Sequence, residues 1–395
     1  MNKELRKEIE AHIGEQREFY KDMFFKLLRF ETVNPPGGEE AIADFIANVL
    51  KGENSDCSLQ YVAPERPNVL AELSFGKPGK KLVFNAHIDV VPPGNLENWN
   101  TQPFEPVEID GNIYGRGSSD DKGGLMAMII AYRTLQEIQP DICGKLLLCG
   151  VMGEETGGMG TKYWVEHGGK ADAAIVGEPS KMELVIAHRG AYRPIFSFQG
   201  RTSHSSEPDL GENAIYSAAN FVCKVAQLNE AFKESGHPLT GSPTIAATVF
   251  QGGVKNNVIP DYAEVSIDRR LSPGETYEDA ERQLLDVLKQ MQENGEIGKW
   301  ELSRYLNNKG AAACDQYDPL VLELQEILKE HSYKSEVCGM RATTDMYLLQ
   351  DAGISTVIFG PGDMGVAHCP NESIPFQEIL DAAKIYAELA IRYLK

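Results

Sequence analysis

The sequence lacks the features of several protein classes. Its 395 residues include 7 cysteines, an odd number, and no C-x-x-C pair, which excludes a disulfide framework and a cysteine-type zinc site. No run approaches the roughly 18 apolar residues of a membrane span. The N-terminal segment MNKELRKEIEAHIGEQ lacks the apolar core of a secretory signal. We therefore predict a cytoplasmic protein.

Positive charge is also scarce. The chain has 38 Lys and Arg against 58 Asp and Glu, a formal net charge of -20. Such a surface repels the phosphates of nucleic acids and the headgroups of anionic membranes, so we expect neither as a partner. Small molecules and cations are the partners that this charge favours.

The order of predicted elements indicates an α/β protein with an inserted module. Strands alternate with helices over residues 1–186 and again over 309–395, which is typical of a layered α/β domain. The patterns predict a helix from Lys3 to Phe30, a strand from Ala173 to Val176 and a closing helix from Phe376 to Tyr393, and, in the segment between, a strand from Asn257 to Arg270. Between them, residues 187–308 follow a strand–helix–strand–strand–helix–strand order, which is typical of a compact ferredoxin-like module. A chain of this length has room for both, at about 100 to 200 residues per domain.

Polar residues that can carry chemistry recur where apolar strands end. They are His87 with Asp89, Asp120 and Asp121 in the turn Gly115–Gly124, Glu154 and Glu155, Glu178, and His368. Taken singly, each has an ordinary interpretation as a surface histidine, a helix cap or a solvated carboxylate. Together they occupy the sheet edge where α/β folds form ligand crevices. Two imidazoles with several carboxylates suit two zinc-like ions that share one carboxylate and hold a water between them.

Local spacing narrows some roles and leaves others open. Asp89 lies two residues after His87, on the same strand face, where its carboxylate can orient the imidazole. Glu154 and Glu155 point in different directions, so one can ligate a metal while the other takes a proton, but spacing does not say which. The Gly115–Gly124 turn lacks both the G-K-[ST] ending of a P-loop and the third glycine of G-x-G-x-x-G, which leaves nucleotide binding a weak alternative.

The motifs AHIDVVP, GRGSSDDKGG, GEETGG, GEPS and GPGD-to-AHCPNE, in this order, resemble the M20 zinc metallopeptidases and amidohydrolases. That family includes acetylornithine deacetylase, succinyl-diaminopimelate desuccinylase and glutamate carboxypeptidase, and the resemblance covers nearly the whole chain. It implies a zinc-hydrolase catalytic domain from 1–186 and 309–395, a dimerisation domain from 187–308, and a homodimer. It also implies two Zn²⁺ per subunit, for which Co²⁺ or Mn²⁺ could substitute.

The resemblance assigns roles to individual residues. The implied metal ligands are His87 and Glu178 for one zinc, Glu155 and His368 for the other, and Asp120 for both. Asp89 would orient His87. Glu154 would be the general base that activates the water and later protonates the leaving amine. A cis peptide is implied between Asp120 and Asp121.

Three residues of the inserted module also match family positions. His204 would reach the active site of the partner subunit and stabilise the oxyanion, although the motif alone also fits a polar histidine in a turn. Asn257 and Arg270 would contact the substrate, with Arg270 gripping its carboxylate. Arg269 is the rival for that role, because strand alternation lets only one of the two face the site.

These observations predict hydrolysis of an amide bond in an N-acyl amino acid or small peptide. A dipeptidase or carboxypeptidase with the same dinuclear site is the nearest alternative, since the motifs do not select the substrate. A nucleotide-dependent enzyme and a non-catalytic metal-binding scaffold are the others.

Overall fold

The computed structural model describes residues 3–234 and 236–395, which form both helices and strands. The helices are α1 (Lys3–Glu15), α2 (Arg17–Leu28), α3 (Glu40–Leu50), α4 (Lys122–Ile138), α5 (Met159–Glu166), α6 (Ala214–Phe232), α7 (Tyr277–Glu293), α8 (Pro319–Glu330), α9 (Met346–Asp351) and α10 (Phe376–Tyr393). The strands are β1 (Ser55–Ala63), β2 (Arg66–Ser74), β3 (Lys81–His87), β4 (Val107–Ile109), β5 (Asn112–Tyr114), β6 (Lys145–Val151), β7 (Ala173–Val176), β8 (Leu184–His188), β9 (Gly190–Tyr192), β10 (Pro194–Gln199), β11 (Ser203–His204), β12 (Thr244–Gly252), β13 (Val258–Ile259), β14 (Tyr262–Leu271), β15 (Lys299–Tyr305), β16 (Ala312–Ala313), β17 (Val337–Met340), β18 (Ser355–Ile358) and β19 (Ser373–Pro375).

The chain divides into two compact units. The first comprises Met1–Ile186, Cys314–Cys338 and Thr344–Lys395, and the second comprises Ala187–Ala313 and Gly339–Thr343. Residues 309–313, which we expected in the larger domain, lie in the second unit because β16 pairs with Ala187 and His188. The functions of the two units remain predictions.

The first unit is built on a mixed sheet with the order β1-β2-β6-β3-β7-β18-β8. Its centre, β6-β3-β7-β18, is parallel. These strands are apolar along nearly their whole length, as in KLLLCGV and AAIV, because helices cover both faces of parallel sheets. The carboxyl ends of the parallel strands therefore meet at one edge, as the register His87↔Val151 and Asn85↔Val176 shows.

Helix α10 packs on α4, and its Tyr386 contacts this sheet. Tyr386 is fully buried, its ring centroid lies 5.3 Å from that of Phe84 on β3, and its hydroxyl donates to the carbonyl of Phe359 just after β18. This contact fixes the helix above the parallel strands. Among the described residues, no helix combines the length and the apolarity that crossing a membrane requires.

The second unit has the predicted ferredoxin-like topology, and the mixed α/β fold class is confirmed. Its elements run β10, α6, β12, β14, α7, β15, and the antiparallel sheet has the order β12-β14-β10-β15. Aromatic side chains fill the space between helices and sheet: the rings of Phe196 and Phe221 meet edge to face at 5.4 Å.

Two predicted elements are each interrupted. The helical pattern from Lys3 to Phe30 forms two helices, α1 and α2, with a break at Gln16. The strand expected from Asn257 to Arg270 is split into β13 and β14 at Pro260, because proline has no N–H for the ladder.

Candidate metal centre

One carboxylate of the first unit lies between two imidazoles. Asp120 Oδ1 is 2.9 Å from His87 Nε2, and Asp120 Oδ2 is 3.3 Å from His368 Nε2. The same His368 nitrogen is 3.1 Å from Glu155 Oε2. Four of the five predicted metal ligands are therefore in direct contact, and each oxygen of Asp120 faces a different histidine.

A second group contains the fifth predicted ligand. Single nitrogen or oxygen atoms of His87, Glu154 and Glu178 all lie within 4.8 Å of one another, as do those of His87, Asp120 and Glu155. All five of these residues have side chains that are at least nine-tenths buried. His87 belongs to both groups, so the carboxylates surround it on two sides.

The strand ends position these side chains. His87 is the last residue of β3, Glu178 follows β7 by two residues, and Glu154 follows β6 by three. Asp120 lies in the turn before α4, and its peptide bond to Asp121 is cis, as the family resemblance implies. His368 has a positive φ of 62° in the loop after β18, a conformation that non-glycine residues seldom adopt.

Asp89 connects the segments that carry these residues. His87 Nδ1 donates to the main-chain carbonyl of Asp89 at 2.9 Å, whereas the carboxylate is 3.6 Å away. The carboxylate instead accepts from the main-chain N–H groups of Glu154 (3.2 Å) and Glu155 (3.3 Å) and from Asn34 Nδ2 (2.9 Å). The expected orientation of His87 by Asp89 therefore runs through the carbonyl, and the carboxylate fixes the glutamate pair.

The electrostatics of the site suit divalent cations. Burial and the neighbouring carboxylates of Asp120 and Glu154 hold the pKa of Glu178 well above its usual range. Burial raises the pKa of Glu155 to about 7, against the hydrogen bond from His368. Buried carboxylates that repel one another need cations or protons for balance. Two imidazoles with several carboxylates are a donor set that fits two borderline cations.

The pKa values of the two histidines are also raised, which favours their charged form beside the carboxylates. Hydrogen bonds to Asp120 and Glu155 raise the pKa of His368 to about 10. Burial lowers the pKa of His87, but its contacts with Asp120 and Asp89 outweigh this and the net shift is upward. Each imidazole thus has a nitrogen within contact distance of a carboxylate of the centre.

In the second unit, His204 and Asn257 are neighbours. His204 pairs with Val258 across the β11–β13 ladder, and Ser205 N donates to the carbonyl of Asn257 at 3.1 Å. Both side chains are exposed. His204 Nδ1 accepts from Ser206 N at 3.2 Å, so in the neutral ring the proton is on Nε2.

The two arginines of β14 differ in exposure. Arg269 is 1% exposed, stacks 4.1 Å from the Phe232 ring centroid and donates to Glu275 at 2.6 Å. Arg270 is half-buried and donates to Asp268 at 2.7 and 3.3 Å. Arg269 is thus enclosed in the interior of its unit, and Arg270 is the one that a small molecule can reach.

Two residues near the centre have no role in the sequence-based prediction. Asn34 holds Asp89, and Glu372 accepts from the main-chain N–H groups of Gly117, Ser119 and Asp120. Glu372 stands in the quoted motif AHCPNE, which was the only signal for it. Because Glu372 occupies these donors, the glycine-rich turn does not offer them to a phosphate, which counts against the nucleotide alternative.

Comparison with known proteins identifies the family. A family model described as "Peptidase family M20/M25/M40" matches residues 83–392. An N-formyl-4-amino-5-aminomethyl-2-methylpyrimidine deformylase from Bacillus subtilis is 28% identical over 98% of this chain and 97% of its own. A probable succinyl-diaminopimelate desuccinylase from Staphylococcus epidermidis is 27% identical over 93% and 96%.

Solved structures share the fold. An aminopeptidase from Bacillus cereus superposes with a TM-score of 0.78 at 21% identity, over 96% of this chain and 99% of its own. A dinuclear metal-binding M20 peptidase from Bacillus subtilis gives 0.70 at 16%, over 96% and 98%. The match along most of the sequence, together with the histidine–carboxylate centre, shows that the chain belongs to peptidase family M20/M25/M40 and is a metallohydrolase that acts on amide bonds.

Proposed function

We propose that this enzyme hydrolyses the amide bond of a small N-acyl amino acid, using two Zn²⁺ per subunit. The observation that carries the proposal is the Asp120 carboxylate, whose two oxygens face His87 and His368. A carboxylate in that position is what two metal ions that share a ligand require. The deformylase and the desuccinylase among the relatives are named for removing an acyl group from nitrogen, which favours deacylation over peptide cleavage.

Four of the five proposed ligands are in contact around Asp120, and the fifth, Glu178, lies in the group with His87 and Glu154. His87 and Glu178 would hold one ion, Glu155 and His368 the other, and Asp120 both. Bound ions of this type polarise a carbonyl and lower the pKa of a coordinated water towards about 7. Zinc is proposed because mixed imidazole and carboxylate ligands suit it, although cobalt or manganese would bind the same donors.

Glu154 is the proposed general base. Its side chain is 6% exposed and lies beside His87 and Glu178, close enough to take a proton from a water held there. The water oxygen attacks the acyl carbon while its proton moves to the Glu154 carboxylate. When the C–N bond breaks, Glu154 returns the proton to the nitrogen. The second proton of the water passes from the new carboxylic acid to the amine, so the products are a carboxylate and an ammonium group.

His204 of the partner subunit is the proposed oxyanion donor. Ser206 N holds Nδ1 as an acceptor, which leaves Nε2–H as a donor for a developing negative charge. Asn257, its neighbour, and Arg270 would contact the substrate, with Arg270 binding its carboxylate. Arg269 is too enclosed for that task.

A homodimer is part of the proposal because the family resemblance implies that His204 acts in the active site of a second copy. Strand β12 is an edge of the antiparallel sheet, and its Val249 and Phe250 are 48% and 43% exposed. Exposed apolar side chains on an edge strand favour pairing with another chain. We place the reaction in the cytoplasm, with a small acyl amino acid as the partner molecule.

The test is primary-amine release by zinc-reconstituted protein. The panel contains N-acetyl-ornithine, N-succinyl-diaminopimelate, the N-formyl aminomethylpyrimidine for which the deformylase relative is named, and simple dipeptides. A chelator-treated sample and the Glu154→Ala variant from the same preparation control for contaminating hydrolases. Chelator-sensitive turnover of an acyl amino acid supports the proposal, turnover of dipeptides alone makes the enzyme a peptidase, and no turnover by protein with two bound metals contradicts it.

A further inference from the structure

The glycine-rich turn before α4 closes around a single buried side chain. Glu372 Oε1 accepts from Ser119 N (2.9 Å) and Asp120 N (3.0 Å), and Oε2 accepts from Gly117 N (3.0 Å) and Arg116 Nη1 (2.5 Å). Glu372 has no exposed surface. Four donors thus converge on one carboxylate that belongs to a segment more than 250 residues further along the chain.

The partner of this carboxylate is itself immobilised. The Arg116 side chain is 1% exposed, and its guanidinium lies over the Trp99 ring, 5.3 Å from the centroid. The main chain of Glu372 accepts from Gly115 N at 3.0 Å, and β19, which follows it, pairs with β5, which precedes the turn. The two segments are therefore joined on both sides of the carboxylate.

The segment of Glu372 also carries His368, and the turn carries Asp120. Ser119 Oγ adds a further link, since it donates to the carbonyl of Asp363 at 3.2 Å and accepts from Asp363 N at 3.0 Å. Two proposed metal ligands from distant parts of the sequence are thus fixed relative to one another through main-chain hydrogen bonds. Within this arrangement, His368 Nε2 lies 3.3 Å from Asp120 Oδ2.

We propose that Glu372 is a positioning residue that holds Asp120 and His368 at the spacing that a dinuclear centre needs. The proposal rests on the metal site of the proposed function. A carboxylate is required because both of its oxygens accept, and each accepts from two donors here. An amide has one accepting oxygen, and its NH₂ group would face N–H donors.

The experiment compares metal binding by Glu372→Gln and by a matched control, Glu388→Gln. Glu388 is another buried glutamate of the first unit, and it binds His331, Arg6 and Arg392 rather than the turn. Metal-free proteins are titrated with Co²⁺, and the stoichiometry, affinity and d–d absorption spectrum are recorded. We expect Glu372→Gln to bind cobalt about 10- to 100-fold more weakly and with a changed spectrum. Glu388→Gln should lower the melting temperature but leave the cobalt affinity and the absorption spectrum unchanged.

Amide hydrogen exchange gives a second reading on the same proteins. In metal-free Glu372→Gln, the N–H groups of Gly117, Ser119 and Asp120 should exchange faster than in the wild type. If the variant does not fold, Glu372→Asp, which keeps the charge but retracts the carboxylate by one methylene, is titrated instead with the same expected loss of affinity. Wild-type affinity and spectrum in a folded Glu372 variant overturn the proposal.

The two proposals fail in different ways. If wild-type protein binds two cobalt ions but cleaves no amide of the panel, the proposed function fails and the cobalt titration still decides the role of Glu372. If the wild type hydrolyses an acyl amino acid and the Glu372 variants bind cobalt normally, only the positioning role is wrong.

Discussion

Replacing Glu154 with glutamine tests the chemistry of the centre most directly. The glutamine has the same shape but cannot take a proton. The hydrogen bond to Asp89 would be kept, because the Asp89 carboxylate accepts from the main-chain N–H of residue 154, at 3.2 Å, and not from its side chain. We therefore expect the backbone and the metal ligands to stay in place while the proton transfer is lost.

The magnitude follows from the number of steps that use the carboxylate. A positioned acid or base contributes about 10²- to 10⁴-fold, and Glu154 is proposed to serve both in attack and in departure of the amine. We expect kcat to fall by about 10³- to 10⁴-fold, which corresponds to roughly 4 to 5 kcal/mol of barrier. KM should change little, since no substrate contact is assigned to this side chain.

The neighbouring glutamate provides the matched control. Glu155 Oε2 is 3.1 Å from His368 Nε2, so Glu155→Gln should lose metal as well as activity. Metal content is measured by elemental analysis after gel filtration, and kcat on the substrate found in the panel. The assignment is wrong if Glu154→Gln loses a metal ion while Glu155→Gln retains both and loses only rate.

Three further outcomes can be measured. Arg270→Met should raise KM about 10- to 100-fold and leave the free energy of unfolding unchanged. Arg269→Met should instead lower the free energy of unfolding by about 1 to 3 kcal/mol and leave KM unchanged. Steady-state kinetics measures KM, and urea denaturation measures the free energy of unfolding. Contacts with His331, Arg6 and Arg392 outweigh burial and lower the pKa of Glu388 to about 2. A lowered pKa of a carboxyl group stabilises the folded state at pH values above its ordinary pKa, near 4.5. Glu388→Gln should therefore lower the free energy of unfolding by about 3 kcal/mol at pH 7, and by progressively less as the pH falls from about 4.5 to 2. Urea denaturation at a series of pH values measures this difference. Subunit exchange between the inactive Glu154→Gln and His204→Ala chains should restore about a quarter of the wild-type activity. Half of the dimers are then mixed, and each mixed dimer has one site with both Glu154 and the partner's His204. No recovery of activity would contradict the action of His204 in the partner's site.

Many helices and strands could be predicted because their patterns of apolar residues are visible within short stretches of the sequence. The strand at Ala173–Val176 and the helix at Phe376–Tyr393 have the bounds that the pattern predicts. Since parallel strands end at one edge, the sequence also indicated that His87, Glu178 and the glutamate pair would meet. The break at Gln16 between α1 and α2 was not predicted, because a helical pattern continues on both sides of it.

The contacts that the sequence could not supply are those between distant segments. A period of two places the Asp89 side chain on the face of His87, yet the carbonyl makes the hydrogen bond and the carboxylate turns to the main chain at 154 and 155. Periodicity gives the direction of a side chain but not its partner. Glu372 stands in the motif AHCPNE, but that motif does not show what Glu372 binds, because its donors lie more than 250 residues earlier.

Asp89 and Glu372 together argue against a metal-binding scaffold without catalysis. Both are buried carboxylates that bind main-chain N–H groups of the segments around them. Glu372 holds the turn of Asp120, which a purely structural metal site would also need. Asp89, however, holds the N–H of Glu154 as well as that of Glu155, and Glu154 is not needed to complete the five proposed ligands. Fixing a buried, chargeable side chain beside a site that is complete without it costs stability. A catalytic proton transfer requires such a side chain, whereas a metal-binding scaffold does not.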